Sequence, residues 1–147
     1  MQWDASPNGG FTSGQPWNKV NSDYATINVA SQVNNSKSLL ALYRELIGLR
    51  KSRQALSAGG FRPARASSKT SAAIWAFERY YGTERVVVAV NLGEATALDF
   101  VVETSQPVGH AAFGVLYPSG FEGKPTAKGN GVLVGDIGPH SIVVVAL

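Results

Sequence analysis

Apolar residues recur every three or four positions at Leu39, Leu40, Leu42, Tyr43, Leu46, Ile47 and Leu49, while Lys37, Arg44, Glu45 and Lys51 take the opposite side. This spacing predicts an amphipathic helix running to about Ser52, with Gly48 tolerated at some cost. Asn34, Asn35 and Ser36 offer successive N-caps for it. Its apolar side is wide, so the helix packs against a substantial partner. Ala58-Gly59-Gly60 ends the helical pattern. From Phe61 onward the apolar runs are short, rich in β-branched residues and punctuated by turns. Residues 72–81 (AAIWAFERYY) and 84–92 (ERVVVAVNL) are joined by Gly82-Thr83, a natural hairpin link. Further strands are predicted over 96–104, 112–117, 131–134 and 141–147. Such regular spacing predicts an antiparallel sandwich or barrel. The nearly continuous runs VVVAV and IVVVAL are expected to be central strands buried on both sides.

The first 17 residues have a different texture. Met1, Trp3, Phe11 and Trp17 are large apolar groups set among Asn8, Gly9, Gly10, Ser13, Gly14 and Pro16, which favour turns. Rings of that size gain most from leaving water, so this stretch reads as a loop fitted to a surface. Residues 19–32 are polar and without sustained period, an irregular lead-in to the helix. The layout is loop, helix, then an all-β module, with no internal repeat. A lone helix with a wide apolar side is odd for a self-sufficient domain, but it suits the last helix of a preceding domain.

Composition narrows the class without changing this picture. At 147 residues the chain fits one domain that buries roughly two-thirds of its unfolded surface. Apolar residues make up 44% and charged residues 16%, a globular balance. The chain has no cysteine, which excludes disulfides, thiolate metal sites and a cysteine nucleophile. No apolar run approaches the ~20 residues of a membrane span, so no membrane partner is expected. No basic region followed by an apolar stretch marks a signal peptide, which tilts the expected location towards the cytoplasm. The net charge is +3, and Arg50, Lys51, Arg53, Arg62, Arg65 and Lys69 follow one another with no acid between Glu45 and Glu78. A phosphate-facing patch would look like this, but so does a solvated helix end, where cations complement the helix dipole. No aromatic interleaving accompanies the charges, and nucleic acid is not an expected partner.

The motifs carry a resemblance. Met1-Gln2-Trp3-Asp4, Pro7-Asn8, Gly10-Phe11-Thr12 and Pro16-Trp17 resemble the segment after the last barrel strand of α-glucosidases of the α-amylase clan, glycoside hydrolase family thirteen. Within it they resemble the oligo-1,6-glucosidase and trehalulose or trehalose synthase branch. In that branch Arg-Thr-Pro usually precedes this segment, and the arginine is absent here. Asn28-Val29 and Gln32 fit the next stretch. Ser38-Leu39-Leu40, Tyr43-Arg44, Leu46-Ile47 and Leu49-Arg50-Lys51 resemble the family's final barrel helix. Val88, Val90 and Asn91-Leu92 fit the central strand of its C-terminal domain, and Gly138-Pro139-His140-Ser141 its last turn. The resemblance implies a mainly β fold: a Greek-key antiparallel β-sandwich of the α-amylase domain C type, preceded by an irregular loop and one amphipathic α-helix. It implies that residues 1–57 are the remnant of the last loop and helix of a (β/α)₈ barrel and 58–147 are domain C. The implied role is non-catalytic: domain C covers and stabilises a catalytic barrel that is missing. That barrel is the implied partner. Trp3 and Asp4 would lie near the substrate entrance of a complete enzyme, since loops after barrel strands line the active-site end.

Retaining glycosidases need a carboxylate nucleophile and a protonated carboxylic acid about 5 Å apart across the sugar. In the family those acids sit upstream of this segment, and none of their motifs occurs here. The chain's 10 acids are scattered singly over loops and strand ends, so no catalytic residue is expected. His110 and His140 lie in turns with no second ligand at metal spacing, and no phosphate-cradling glycine motif is present, so neither metal nor cofactor is expected. Trp75, Tyr80, Tyr81 and Tyr117 pose the sharpest choice. Planar rings stack on sugars, which would make an independent carbohydrate-binding sandwich the alternative. Period-two alternation puts Ala73, Trp75 and Phe77 on one face, and core is the expected role of that face. The helix side bearing Leu39, Leu42, Tyr43, Leu46 and Ile47 needs a substitute for the barrel, by folding back on the sandwich or by self-association. Residues up to about Trp17, with nothing to bury Trp3 and Phe11, are expected to be mobile or borrowed by a neighbouring molecule.

Overall fold

A computed structural model describes residues 1–109 and 113–147; His110 and Ala112, the start of one expected strand, lie outside the described residues. The chain divides into two compact units, Met1–Leu49 and Arg50–Leu147.

In the second unit, α3 (Gln54–Ser57) precedes eight strands: β1 (Gly60–Ser67), β2 (Ile74–Tyr81), β3 (Glu84–Asn91), β4 (Ala97–Glu103), β5 (Gly114–Tyr117), β6 (Thr126–Lys128), β7 (Gly131–Ile137) and β8 (Ser141–Ala146). They form one antiparallel sheet in the order β5-β8-β3-β2-β1-β4-β7-β6. Within it β4-β1-β2-β3 has the Greek-key order. The fold is mainly antiparallel β, as expected, but the sheet is continuous. Residues 60–64 of β1 pair with β2, and residues 65–67 pair with β4, so β1 is the seam about which the sheet curls.

The two halves enclose one core. Ala76, Val87, Ala89, Val143 and Val145 come from one half, and Ala97, Phe100, Val102, Val132, Val134 and Ile137 from the other. Valine dominates because a branched Cβ suits a pleated, packed surface. The runs VVVAV and IVVVAL are the central strands β3 and β8, and Val86 to Ala89 and Val143 to Val145 are all buried. At the end of β3 the fully buried Asn91 ties three turns together. Its Nδ2 donates to the carbonyls of Ala95 (2.8 Å), Ile137 (3.0 Å) and Gly138 (2.9 Å), and its Oδ1 accepts from the Gly93 amide at 3.0 Å. Gly131 opens β7 because a Cβ there would lie 2.2 Å from the carbonyl oxygen of Val102.

Two strands carry weak sequence signals. β1 contains Pro63, which reads as a strand breaker. It is tolerated because residues 60–64 have β2 alone as a paired neighbour, making β1 locally an edge. β6 is three residues long, too short for its alternation to stand out in the sequence.

The first unit is shaped by hydrogen bonds. Pro7–Gly10 forms a tight turn with Asn8 at φ +60° and Gly9 at φ +63°, left-handed geometry that suits these two residue types. The Trp3 amide donates to the carbonyl of Gly9 at 2.9 Å. The Gln2 and Trp3 carbonyls accept from the amides of Val29 and Ala30, each at 2.9 Å. Of the first 17 residues, Gln2 and Trp3 are tied through their carbonyls to α1 (Val29–Gln32), a short helix hidden in the polar lead-in, while Phe11 and Trp17 are exposed. Asn28 caps α1 in a reciprocal capping box with Ser31.

The main helix, α2 (Leu39–Ser52), ends where the periodicity places it, but its cap is Ser38 rather than residues 34–36. Ser38 Oγ accepts from the Ala41 amide at 3.2 Å, and Gln32 Oε1 satisfies the Leu40 amide at 3.0 Å. Asn35 instead folds onto the Lys37 amide at 2.9 Å, shaping the approach. The buried residues of Met1–Leu49 are Gln2, Gly9, Asn28 and Ser38. Many of its large apolar side chains are exposed, Trp17 at 95% and Tyr43 at 63%, while Leu40, Leu42, Leu46 and Leu49 are half-buried, and α2 buries no residue fully. On the helix side expected to need a cover, Leu39, Tyr43 and Ile47 are exposed and Leu42 and Leu46 half-buried.

Candidate functional site

The opening turn holds both residues singled out as substrate-proximal. Trp3 is fixed by its backbone on both sides, while its indole is 58% exposed. Asp4 turns back on its own chain: Oδ1 accepts from the Ser6 amide at 2.9 Å and from the Ser6 hydroxyl. These two bonds, the hydroxyl first, hold its carboxyl below the usual carboxylate range. Gly10, at φ +73°, sits against this carboxylate, and a Cβ there would come within 3.0 Å of both its oxygens. Asp4 lines a cleft of about 540 Å³ with Ser6, Asn8, Gly10, Phe11 and Thr12. Trp3 does not line that cleft, so the turn sets the two side chains to different surroundings. With Asp4 ionised and spent on Ser6, the cleft offers a fixed negative charge and an exposed ring.

Glu78, Asp99 and Asp136 are engaged in ways that fix loops. Glu78, on the core side of β2, is 2% exposed. Its Oε1 meets Arg85 Nη2 at 2.5 Å and its Oε2 accepts from the Ser105 amide at 2.9 Å. Burial alone drives its carboxyl pKa up, but the bonds from Ser105 and the Arg85 guanidinium together outweigh it and hold the group below its ordinary value. Asp99 pairs with Lys69 at 2.5 Å, and this ammonium, by hydrogen bond first and charge second, depresses its pKa. Asp136 lies alongside, its Oδ1 accepting from the Asp99 amide at 2.9 Å. A general acid needs a pKa raised into the working range. Asp4, Glu78 and Asp99 all move the opposite way.

The basic run disperses over separate partners. Arg53 reaches Glu84 at 3.6 Å, Lys69 reaches Asp99, and Arg62 stacks over the Tyr80 ring at 4.8 Å while bonding Ser105 Oγ. His140 faces Glu94, with 3.1 Å between Nε2 and Oε1, in an exposed turn. Among the described residues no three potential metal ligands converge.

The aromatics overturn one expectation. Trp75 and Phe77 do not belong to the core; Ile74 and Ala76 do. The strand alternates as expected, but the phase of Ile74 and Ala76, not that of Trp75 and Phe77, faces the core. Both phases of IWAFERYY are apolar at the start, and the inner phase contains the charged Glu78. The signal that resolves it is Arg85, across the hairpin, which pairs with Glu78 and makes its burial tolerable. Trp75 is 48% exposed, and Tyr80 and Tyr81 are 37% and 47% exposed.

Comparison with known proteins supplies the context for this turn. Residues 1–59 match the family of the α-amylase catalytic domain. The oligo-1,6-glucosidase of Bacillus cereus is 32% identical over 116 residues, which cover 79% of this chain and 20% of that protein. The oligo-1,6-glucosidase of Heyndrickxia coagulans is 38% identical over 96 residues, 65% of this chain and 17% of that protein. Among solved structures, a trehalulose synthase superposes with a TM-score of 0.72 at 31% identity, covering 100% of this chain and 25% of its own. An isomaltulose synthase from Erwinia rhapontici gives a TM-score of 0.71 at 29% identity, covering 100% and 24%. The chain is thus similar to oligo-1,6-glucosidases and to trehalulose and isomaltulose synthases, and its residues 1–59 to the α-amylase catalytic domain. It spans no more than 20% of the length of these two curated relatives.

Proposed function

We propose that this chain is the non-catalytic C-terminal part of an α-glucosidase-type glycoside hydrolase acting on α-glucosidic oligosaccharides, with residues 1–57 completing the catalytic barrel and 58–147 forming its β domain. The observation that carries this reading is the inversion of Met1–Leu49. A segment matching a catalytic domain buries only polar residues and glycine and turns Trp3, Phe11, Leu39, Tyr43 and Ile47 outward, as barrel-facing pieces do when read alone. The downward pKa shifts of Asp4, Glu78 and Asp99 support a role without proton transfer. In this reading Trp3 and Asp4 stand at the rim of the substrate entrance and the β unit braces the barrel.

The purified chain is expected to leave isomaltose and an aryl α-glucoside unhydrolysed. Turnover abolished by replacing one of the chain's own acids would sink the reading. One observation favours a second reading, an independent carbohydrate-binding module: the exposed ring of Trp75. Saturable binding of maltose or isomaltose that is lost in Trp75→Ala, with the fold intact, would favour it.

A further inference from the structure

At the hairpin end of the sheet, β1, β2 and β3 bring Arg62, Glu78, Tyr80 and Arg85 onto one side. Register pairs Arg62 with Glu78 and Tyr80 with Arg85, and directly paired residues project to the same face. Ser105 and Gln106, in the turn after β4, are fastened to this group. Arg85 Nη2 reaches Glu78 Oε1 at 2.5 Å and the Gln106 carbonyl at 3.2 Å, while Glu78 Oε2 accepts from the Ser105 amide at 2.9 Å. These bonds frame a small cavity of about 120 Å³, lined by Arg62, Tyr80, Gly82, Arg85, Ser105 and Gln106.

The side chains lining this cavity are cationic or neutral. Glu78 is buried, does not line it, and has both carboxylate oxygens bonded, so it offsets one guanidinium and leaves one positive charge over. Among the described residues no carboxylate lies within ion-pair distance of Arg62. Its guanidinium is nonetheless held in place: it stacks over the Tyr80 ring at 4.8 Å, and Nη1 donates to Ser105 Oγ. Among the described residues no hydrogen bond uses Nε or Nη2 of Arg62, Nε or Nη1 of Arg85, or the side-chain amide of Gln106. Ser105 Oγ, accepting from Arg62, keeps its own proton to donate. Donors held in position before a ligand arrives cost less to order. Two planar forks from different strands, with a hydroxyl and an amide beside them, suit oxygens arranged in three dimensions better than a flat carboxylate. The volume, about that of four waters, admits a phosphoryl group and little more.

We propose that this cavity binds phosphate, as the free ion or as the head of a phosphate monoester, with Arg62 and Arg85 gripping its oxygens. The site is independent of the reading under Proposed function. Calorimetric titration of inorganic phosphate into the full chain, with ionic strength held constant by sodium chloride, tests it. One saturable site is expected. Arg62→Gln and Gln106→Glu are each expected to weaken it at least about tenfold, the loss of one charge-assisted bond, at an unchanged unfolding temperature. Gln106 is exposed and bonded only through its backbone carbonyl, so Gln106→Glu carries the test if Arg62→Gln fails to fold. Glycerol phosphate separates the two sources: affinity no tighter than that of phosphate supports the free ion, and tighter affinity supports the monoester. Three results overturn the proposal: no saturation by about 10 mM phosphate, acetate binding more tightly than phosphate, or phosphate binding unchanged in either folded variant.

Discussion

Among the described residues of Arg50–Leu147 the buried side chains are valines, alanines, Phe100 and Ile137, joined by the paired Glu78 and the fully bonded Asn91. In Met1–Leu49 they are Gln2, Asn28 and Ser38, while Trp3, Phe11, Trp17, Leu39, Tyr43 and Ile47 face outward. The first unit is shaped by hydrogen bonds, each worth about 1 kcal/mol net, and the second by apolar burial at about 1.5–3 kcal/mol for a valine-sized side chain. A segment can thus have its shape specified locally without being stabilised locally. The turn at Pro7–Gly10, the α1 capping box and the Ser38 cap define the shape of Met1–Leu49, which holds no buried apolar side chain of its own.

The sharpest break between the units lies in truncation of large side chains. Phe100→Ala is expected to cost about 3–5 kcal/mol in urea unfolding, because the cavity lies between two packed halves of one sheet. Tyr43→Ala in the free chain is expected to stay within about 0.5 kcal/mol, as exposed positions do. A loss above about 2 kcal/mol for Tyr43→Ala would show that the first unit has a core of its own.

The next effect belongs to Glu78. Removing its charge in Glu78→Gln leaves Arg85 poorly compensated and is expected to cost about 2–3 kcal/mol, less than for a fully buried pair because Arg85 keeps some contact with water. The same group sets a pH dependence. Its pKa is lower in the folded than in the unfolded chain, so its contribution is complete above the ordinary carboxylate range and is lost as pH falls through the folded value. Unfolding free energy measured from neutral to acid pH should decline below that range, and the decline should be shallower in Glu78→Gln. Identical slopes would remove Glu78 from the account.

A smaller effect is expected at the caps. Asn28→Ala removes a buried capping box and is expected to cost about 1 kcal/mol, read as faster amide exchange at Ser31, whose amide donates to the Asn28 side chain, and at the Gln2–Val29 contact. Exchange unchanged at these amides would mean that the turn holds without its cap.

Much of this comparison is legible in the sequence. The heptad-like spacing of Leu39 to Leu49 delimits α2, Gly82-Thr83 sets the hairpin of β2 and β3, and the valine runs mark the two central strands. Legibility fails where a tertiary partner decides. Pro63 hides β1 because its tolerance depends on which neighbour pairs with residues 60–64. Glu78 misdirects the phase of β2 because its burial depends on Arg85 and Ser105, both distant in sequence. Ser38 takes the cap from Asn34, Asn35 and Ser36 because Gln32, reaching back from α1, satisfies a neighbouring amide. Of the candidate site, Trp3 and Asp4 stand out by motif, but the bond from Ser6 that commits the Asp4 carboxylate appears only in the folded turn.

The central claim is that Arg50–Leu147 is stabilised by an apolar core whereas Met1–Leu49 is shaped by hydrogen bonds without one. Native-state hydrogen exchange of the free chain tests it most directly, since amides report the local opening energy of each element. Amides of β3 and β8 are expected to exchange at least about 100-fold more slowly than those of α2 residues 43–49, a gap of about 2.7 kcal/mol. Equal protection of α2 and β3 in a monomeric chain would contradict the account.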